Sequence, residues 1–193
     1  DIQLLMSGLL MLLLVLFGLP VVIAIGSRLL AMVVPRRRAQ ERRFRAVAAT
    51  LGGRFGRSLI VADPDLRLWL HGQPVFVTSS FGKYGHEISS VRLGALEGCS
   101  WPGVSLELEP GRPVEHEHLG EDGLAAAAAL AALVGHPCSV QIRQQLWGDQ
   151  GFAELLCGGY LTDHDDGAVR VARSVVLLQR MAFDLRPVGG AGE

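Results

Sequence analysis

The chain has 193 residues, enough for one ordinary domain plus a further segment, and its mean hydropathy of +0.32 is high for a water-exposed protein. Its net charge of −1 conceals a split: residues 28–57 carry nine arginines against the single acid Glu41, whereas residues 58–193 carry eight arginines and Lys83 against seventeen acids. Cys99, Cys138 and Cys157 are too few and too widely spaced for a disulfide framework or a CxxC metal site, and are expected as buried thiols of a reducing compartment.

Residues 4–27 contain no charged side chain. At about 1.5 Å per helical residue, such a run spans a hydrocarbon core of about 30 Å with some tilt. The start is acidic (Asp1) and the run is longer than a signal-peptide core, so a retained transmembrane helix is expected rather than a cleaved leader. The greasy stretch stops at Pro35, and VVPRRRAQERRFR then places six arginines within ten residues. Arg28, Arg36, Arg37 and Arg38 flank the C-terminal end of the run, with Arg42 and Arg43 just beyond. Basic residues stay on the cytoplasmic side and are attracted by anionic lipid headgroups. The expected topology therefore has the N-terminus outside a bacterial inner membrane and the remainder in the cytoplasm, with the arginines as the membrane-anchoring collar.

Within the run, Gly8, Gly18 and Gly26 offer close approach to neighbouring transmembrane subunits, and Pro20 predicts a kink. Residues 4–27 contain no histidine or acid, so this helix has no imidazole for a haem or chlorophyll metal and no proton-relay carboxylate. No cofactor is expected. Arginine's excess over lysine reads as coding bias rather than phosphate recognition, and no nucleic-acid partner is expected.

Phe44, Val47, Ala48 and Leu51 recur at helical spacing, with Gly52-Gly53 as the stop and arginines over the other faces, which predicts a basic juxtamembrane helix. Strands are predicted at 54–62 and 66–71, after the His71-Gly72-Gln73-Pro74 turn at 75–78, and at 87–95 and 103–109. In VSLELE, Val104, Leu106 and Leu108 alternate with Ser105, Glu107 and Glu109, one face inward and one wet. EDGLAAAAALAALV at 121–134 predicts a helix with acids in its first turn. Residues 138–146 and 152–157 predict a hairpin about WGDQG, and 168–183 a closing helix whose Val169, Ala172, Val176, Leu177 and Met181 share a face. This order predicts an α+β fold with a largely antiparallel sheet packed with two or three helices. The predicted organisation is an anchor at 1–35, the basic helix at 36–53, the α+β domain at 54–186 and a loose tail at 187–193.

No motif names a reaction. On an extended strand His116 and His118 of EHEH would point the same way and could hold zinc or copper if His136, His164 or Cys138 supplied a third ligand. Gly111, Pro113 and Gly120 bracket the segment as a loop, so these two remain weak metal candidates. DHDDG at 163–167 lacks calcium-loop spacing and predicts instead an N-cap, Asp165 or Asp166, for the last helix. FGKYGH at 81–86 lacks the phosphate-loop spacing. Phe81, Tyr84 and Trp101 are read as caps of the sheet core, with partner contact as the alternative.

Arg36–Arg38, Leu51-Gly52-Gly53, HGQPVFV at 71–77 and GGYLTD at 158–163 form a pattern that resembles bacterial single-pass, membrane-anchored α+β proteins to which no activity is attached. The layout is also similar to the H subunit of purple-bacterial photosynthetic reaction centres: outside N-terminus, one span, β-rich cytoplasmic cap. The resemblance brings no activity with it; the function expected first is that of a non-enzymatic accessory subunit of a larger membrane assembly, photosynthetic or respiratory, whose partners are the lipid bilayer and other transmembrane subunits. A membrane-tethered metal or enzyme domain using His116 and His118, and an adaptor recruiting a soluble partner, are the alternatives.

Overall fold

The computed structural model describes residues 6, 14–56, 65–81, 87–96, 103–144, 151–159, 161–162 and 165–185, with the side chains of 14, 15, 28–37, 81, 95 and 144 outside that description. It contains two compact units, Asp1–Arg42 and Arg43–Glu193.

A π turn, Leu14–Gly18, leads into helix α1, Leu19–Leu51. The change in helix type lies just ahead of Pro20, where a kink is expected. Proline has no N–H to give the carbonyl four residues back, and its ring crowds that carbonyl, so the turn ahead of it widens. The helical span of α1 includes Pro35, so the juxtamembrane helix predicted at 36–53 is assigned to the same element as residues 19–35. The predicted stop holds: Gly52 takes φ 72° and the Gly53 N–H donates to the Ala48 carbonyl at 2.9 Å, a Schellman closure. Among the described residues no helix is long and apolar enough to cross a membrane. A span over residues 4–27 is therefore not supported by the described helices. Its second half belongs to an element that runs on into the arginines Arg36–Arg43, and residues 7–13 lie outside the description.

The second unit is α+β, as expected. Seven strands form one fully antiparallel sheet: β1 (Arg54–Gly56), β2 (Asp65–Leu70), β3 (Gln73–Phe81), β4 (Glu87–Leu96), β5 (Val104–Leu108), β6 (Cys138–Gln144) and β7 (Gly151–Gly158). Their spatial order is β1-β2-β3-β4-β7-β6-β5. Helices α2 (Glu121–Val134) and α3 (Gly167–Phe183) follow β5 and β7. His71 (φ 51°) and Gly72 (φ 78°) form the two-residue turn between β2 and β3, both in the left-handed conformation that a tight hairpin demands.

Side chains alternate across the sheet, so register fixes which residues meet the core. Leu68, Val75, Leu93, Ala153 and Ile142 lie in one ladder row and are all buried. An irregularity between Leu93 and Leu96 inserts one residue opposite β7 and returns Leu96 to the buried face. The helical side of this core comes from Leu130, Ala127 and Ala131 of α2, Val171, Val175, Leu178 and Met181 of α3, and Phe44, Val47 and Ala48 from the last turns of α1. The apolar stripe predicted on the basic helix is thus present, but it is buried in the protein's own core rather than laid on lipid.

The face predicted for the last helix is rotated. Of the five residues assigned to it, Met181 is buried, whereas Val169 is 50 % exposed and Ala172, Val176 and Leu177 are half-buried. Val171, Val175 and Leu178 fill the core instead. Asp166 is the N-cap residue of this helix, as predicted, but its side chain makes no capping hydrogen bond; its carboxylate accepts from Arg170 Nε at 3.1 Å.

The start of α2 is capped from a distance. Gly120, its N-cap, has no side chain, and the Asp184 carboxylate at the end of α3 accepts the Gly123 N–H at 2.6 Å. Gly120 N–H donates to the Asp184 carbonyl at 3.3 Å, and Leu119 bridges to Leu185. A Cβ on Gly120 would sit 2.5 Å from that carboxylate, so only glycine leaves room for the cap. Asp184→Ala is expected to cost about 1 kcal/mol, the usual worth of an N-cap, with Asp184→Asn costing less than half of that in urea unfolding. Equal losses would mean the cap contributes nothing.

Candidate interaction surfaces

On the first unit, the side chains from residue 16 onward make an apolar surface on every side. Phe17 is 70 % exposed and Val22 67 %, and Leu16, Leu19, Val21, Ile23 and Ile25 are all more than half exposed. Seven large apolar groups within ten helical positions cover all faces, whereas a helix packed on a core exposes only its polar face. Gly18 closes the π turn, Pro20 lies in the first turn of α1, and a Cβ on Gly26 would meet nothing within 4 Å. Gly8 lies outside the described residues.

The collar is only partly described. Arg28, Arg36 and Arg37 lie in α1 with their side chains outside the description. Arg38 is exposed, and Arg42 Nε donates to its carbonyl at 3.4 Å. Arg43 is half-buried and, with Thr50, Thr162 and Asp165, lines a cavity of about 270 Å³. The Arg45 guanidinium lies 5.5 Å from the centre of the Phe55 ring.

The two loop histidines come together within one turn. Their ring centroids are 5.5 Å apart and tilted by 58°. His116 Nδ1 accepts the His118 backbone N–H at 3.3 Å, and His118 Nε2 faces the Glu117 carboxylate at 3.3 Å. Each ring therefore spends one nitrogen inside its own turn. His136 faces the Pro137 carbonyl, Cys138 is buried in the core, and His164 lies outside the description. Among the described residues no three His, Cys, Asp or Glu side chains gather as a metal site.

A polar cluster that the sequence reading missed lies on the sheet face opposite the helices. Glu154 of β7 is buried, and its Oε1 accepts from Ser90 Oγ of β4 at 2.6 Å. Arg92 Nη2 donates to both carboxylate oxygens at 3.1 and 3.2 Å, and its guanidinium stacks 4.9 Å from the centre of Phe152. Register explains the meeting: Arg92 and Glu154 are direct cross-strand partners. The signal was an acid inside the apolar run GFAELLCG and an arginine inside SSVRLG. With both oxygens occupied, the carboxylate clamps β4 to β7.

Cys138 and Cys157 also face each other across β6 and β7, both buried and reduced. Burial pushes the Cys138 thiol from 9.0 up to about 11, with the Glu107 carboxylate adding to it, and pushes Cys157 up to about 12, helped by Cys138. The fold favours the protonated thiols. Their contribution to stability is therefore whole below about pH 9 and is lost as pH rises from there through 11 to 12. Wild type should lose stability more steeply than Cys157→Ala between pH 8 and 11, and neither thiol should react with iodoacetamide at pH 8 until the chain unfolds. Rapid alkylation of Cys138 or Cys157 in the folded chain, located by peptide mass so that Cys99 is read separately, would contradict this. Phe81 ends β3 with its side chain undescribed, and Tyr84, Trp101 and Cys99 lie outside the described residues.

Comparison with protein-family models, with curated proteins and with solved structures finds no match to this chain, so the surfaces above rest on its own residues.

Proposed function

We propose that this chain is a non-catalytic accessory subunit of a larger membrane assembly, with the residue 4–27 segment embedded among lipid and neighbouring helices and the α+β unit on the cytoplasmic side. The observation that carries this reading is the apolar surface around Leu16–Ile25. Seven exposed large hydrophobic side chains on all faces of one helical stretch have no cover among the described residues. The charge-free run 4–27 and the arginines Arg28–Arg43 beside it support lipid and apolar helices as that cover, with anionic headgroups at the collar. An energy-transducing assembly is the reading suggested by the resemblance of the sequence layout to the reaction-centre H subunit, an analogy of architecture. The metal-binding alternative at His116 and His118 has no third ligand gathered beside them among the described residues.

Membrane fractionation tests the reading. The chain should stay with membranes through high salt and alkaline carbonate, and protease added outside intact cells should leave the α+β unit uncut. Release by salt alone, or digestion of that unit from outside, sinks the proposal. Gentle detergent extraction should yield a particle well above the size of one or two chains; a particle no larger sinks the subunit reading while leaving the anchor intact.

A further inference from the structure

Once the core is filled, α2 and α3 leave a trough between them on the side away from the sheet. It consists of two adjoining cavities of about 770 and 740 Å³, which share Ala129, Val176, Leu177 and Arg180 as lining. One wall is the small-residue row Ala125, Ala129 and Ala132 of α2; the other is formed by Val176 and Leu177 of α3, with Phe183, 66 % exposed, at one end. Alanines leave holes, and Phe183 is a knob with no hole of its own.

The charges at the two ends are opposite. Asp122 lies at the Phe183 end, in the first turn of α2. Arg173 lies at the other end with His71, beyond Ala132. Asp122 and Arg173 are exposed and make no ion pair among the described residues; the nearby Asp166 is held by Arg170.

We infer that this trough is the docking surface for a second copy of the same chain. A two-fold axis through the middle of the trough, near Ala129, lays each acidic end over the partner's basic end, and brings the exposed Arg180 of each copy near the axis. It also brings each Phe183 onto the partner's Ala132 row. A two-fold interface must be complementary to itself, and a surface with knob and acid at one end, hole and base at the other, meets that requirement. A foreign helix would need one of its ends basic and the other acidic to match the same pattern. The inference does not rest on the proposed membrane anchor.

The test uses the full chain in mild detergent. Ala129→Cys, placed beside the axis, should cross-link to its mate with a short bis-maleimide, while wild type treated alike gives the background. Asp122→Arg and Arg173→Asp should each weaken self-association by about tenfold or more, because each change places like charges together at two symmetry-related points. The two changes in one chain should return the affinity to within about threefold of wild type, because the pairs re-form with exchanged signs. Phe183→Ala should weaken it without altering far-UV circular dichroism. A wild-type chain that stays monomeric, no cross-link at position 129, or a double change no better than the singles would overturn the inference. Association through the N-terminal helix alone gives the second of these results, as does a trough filled by residues 186–193 or by a different protein.

Discussion

Leu178→Ala should lower the unfolding free energy by about 3 kcal/mol, and Leu177→Ala, one position earlier, by less than about 1 kcal/mol. Leu178 is fully buried with Val175 and Met181, against a sheet whose central strands cannot close around a void without breaking their ladder. Truncation there loses both the transfer free energy of the deleted carbons and the contacts of the cavity walls. Leu177 is half-buried in the trough, and in the single chain its replacement by alanine leaves a space open to water, so the comparison is made at concentrations where the chain is monomeric. Urea unfolding followed by far-UV circular dichroism measures both. Equal costs, or the reverse order, would show that α3 presents a different face to the sheet. The pair is sensitive because 3.6-residue periodicity in VRVARSVVLLQRM fits two apolar stripes, and only packing chooses between them.

Glu154→Ala should cost about 2–3 kcal/mol, and Arg92→Ala about 1 kcal/mol. The asymmetry follows from exposure. The carboxylate side chain is 12 % exposed and holds both Ser90 Oγ and Arg92, so its loss leaves the Ser90 hydroxyl without its acceptor. Arg92 is 49 % exposed, so truncating it opens the carboxylate to water, which takes the place of the lost guanidinium. Removing Arg92 still leaves the Ser90 bond in place, at the same sheet position. A double-mutant cycle on the two residues should give a coupling of about 1 kcal/mol. A coupling near zero would mean that the ion pair is incidental and only the Ser90 bond matters.

Much of the α+β architecture was legible because the relevant signals are local. Period-two alternation in VSLEL and the His71-Gly72 turn mark strands whatever they pack against, and Gly52-Gly53 and the acids of EDGL mark helix ends. Register is not local. Nothing in SSVRLG announces that Arg92 will face Glu154, because the pairing depends on which strand fills the slot beside β4, and β7 comes after two other strands and a helix. The same limit applies to Asp184: its role at the start of α2 depends on where α3 ends in space. The charge cliff at Pro35 reads as a break in composition, yet the backbone passes through it as helix. Composition reports what surrounds a segment, whereas helix continuity depends on hydrogen bonds that one proline interrupts without ending the rod. For His116 and His118, residue spacing assumed an extended chain, and the turn they occupy turns part of their donor capacity inward.

The β4–β7 seam has a consequence for biosynthesis. Strands β1 to β4 pair in sequence and can form as soon as Leu96 is free, but the next partner of β4 does not exist until Gly151 and its successors have been made. At about 5–20 residues per second, a translating ribosome leaves that edge unsatisfied for roughly 3–11 s. A nascent chain in this interval carries Ile88, Val91 and Leu93 on an open strand, and a neighbour on the same messenger can offer an identical one. Co-translational chaperone binding, or slow initiation that keeps ribosomes far apart, would matter more to the yield of this protein than its final stability.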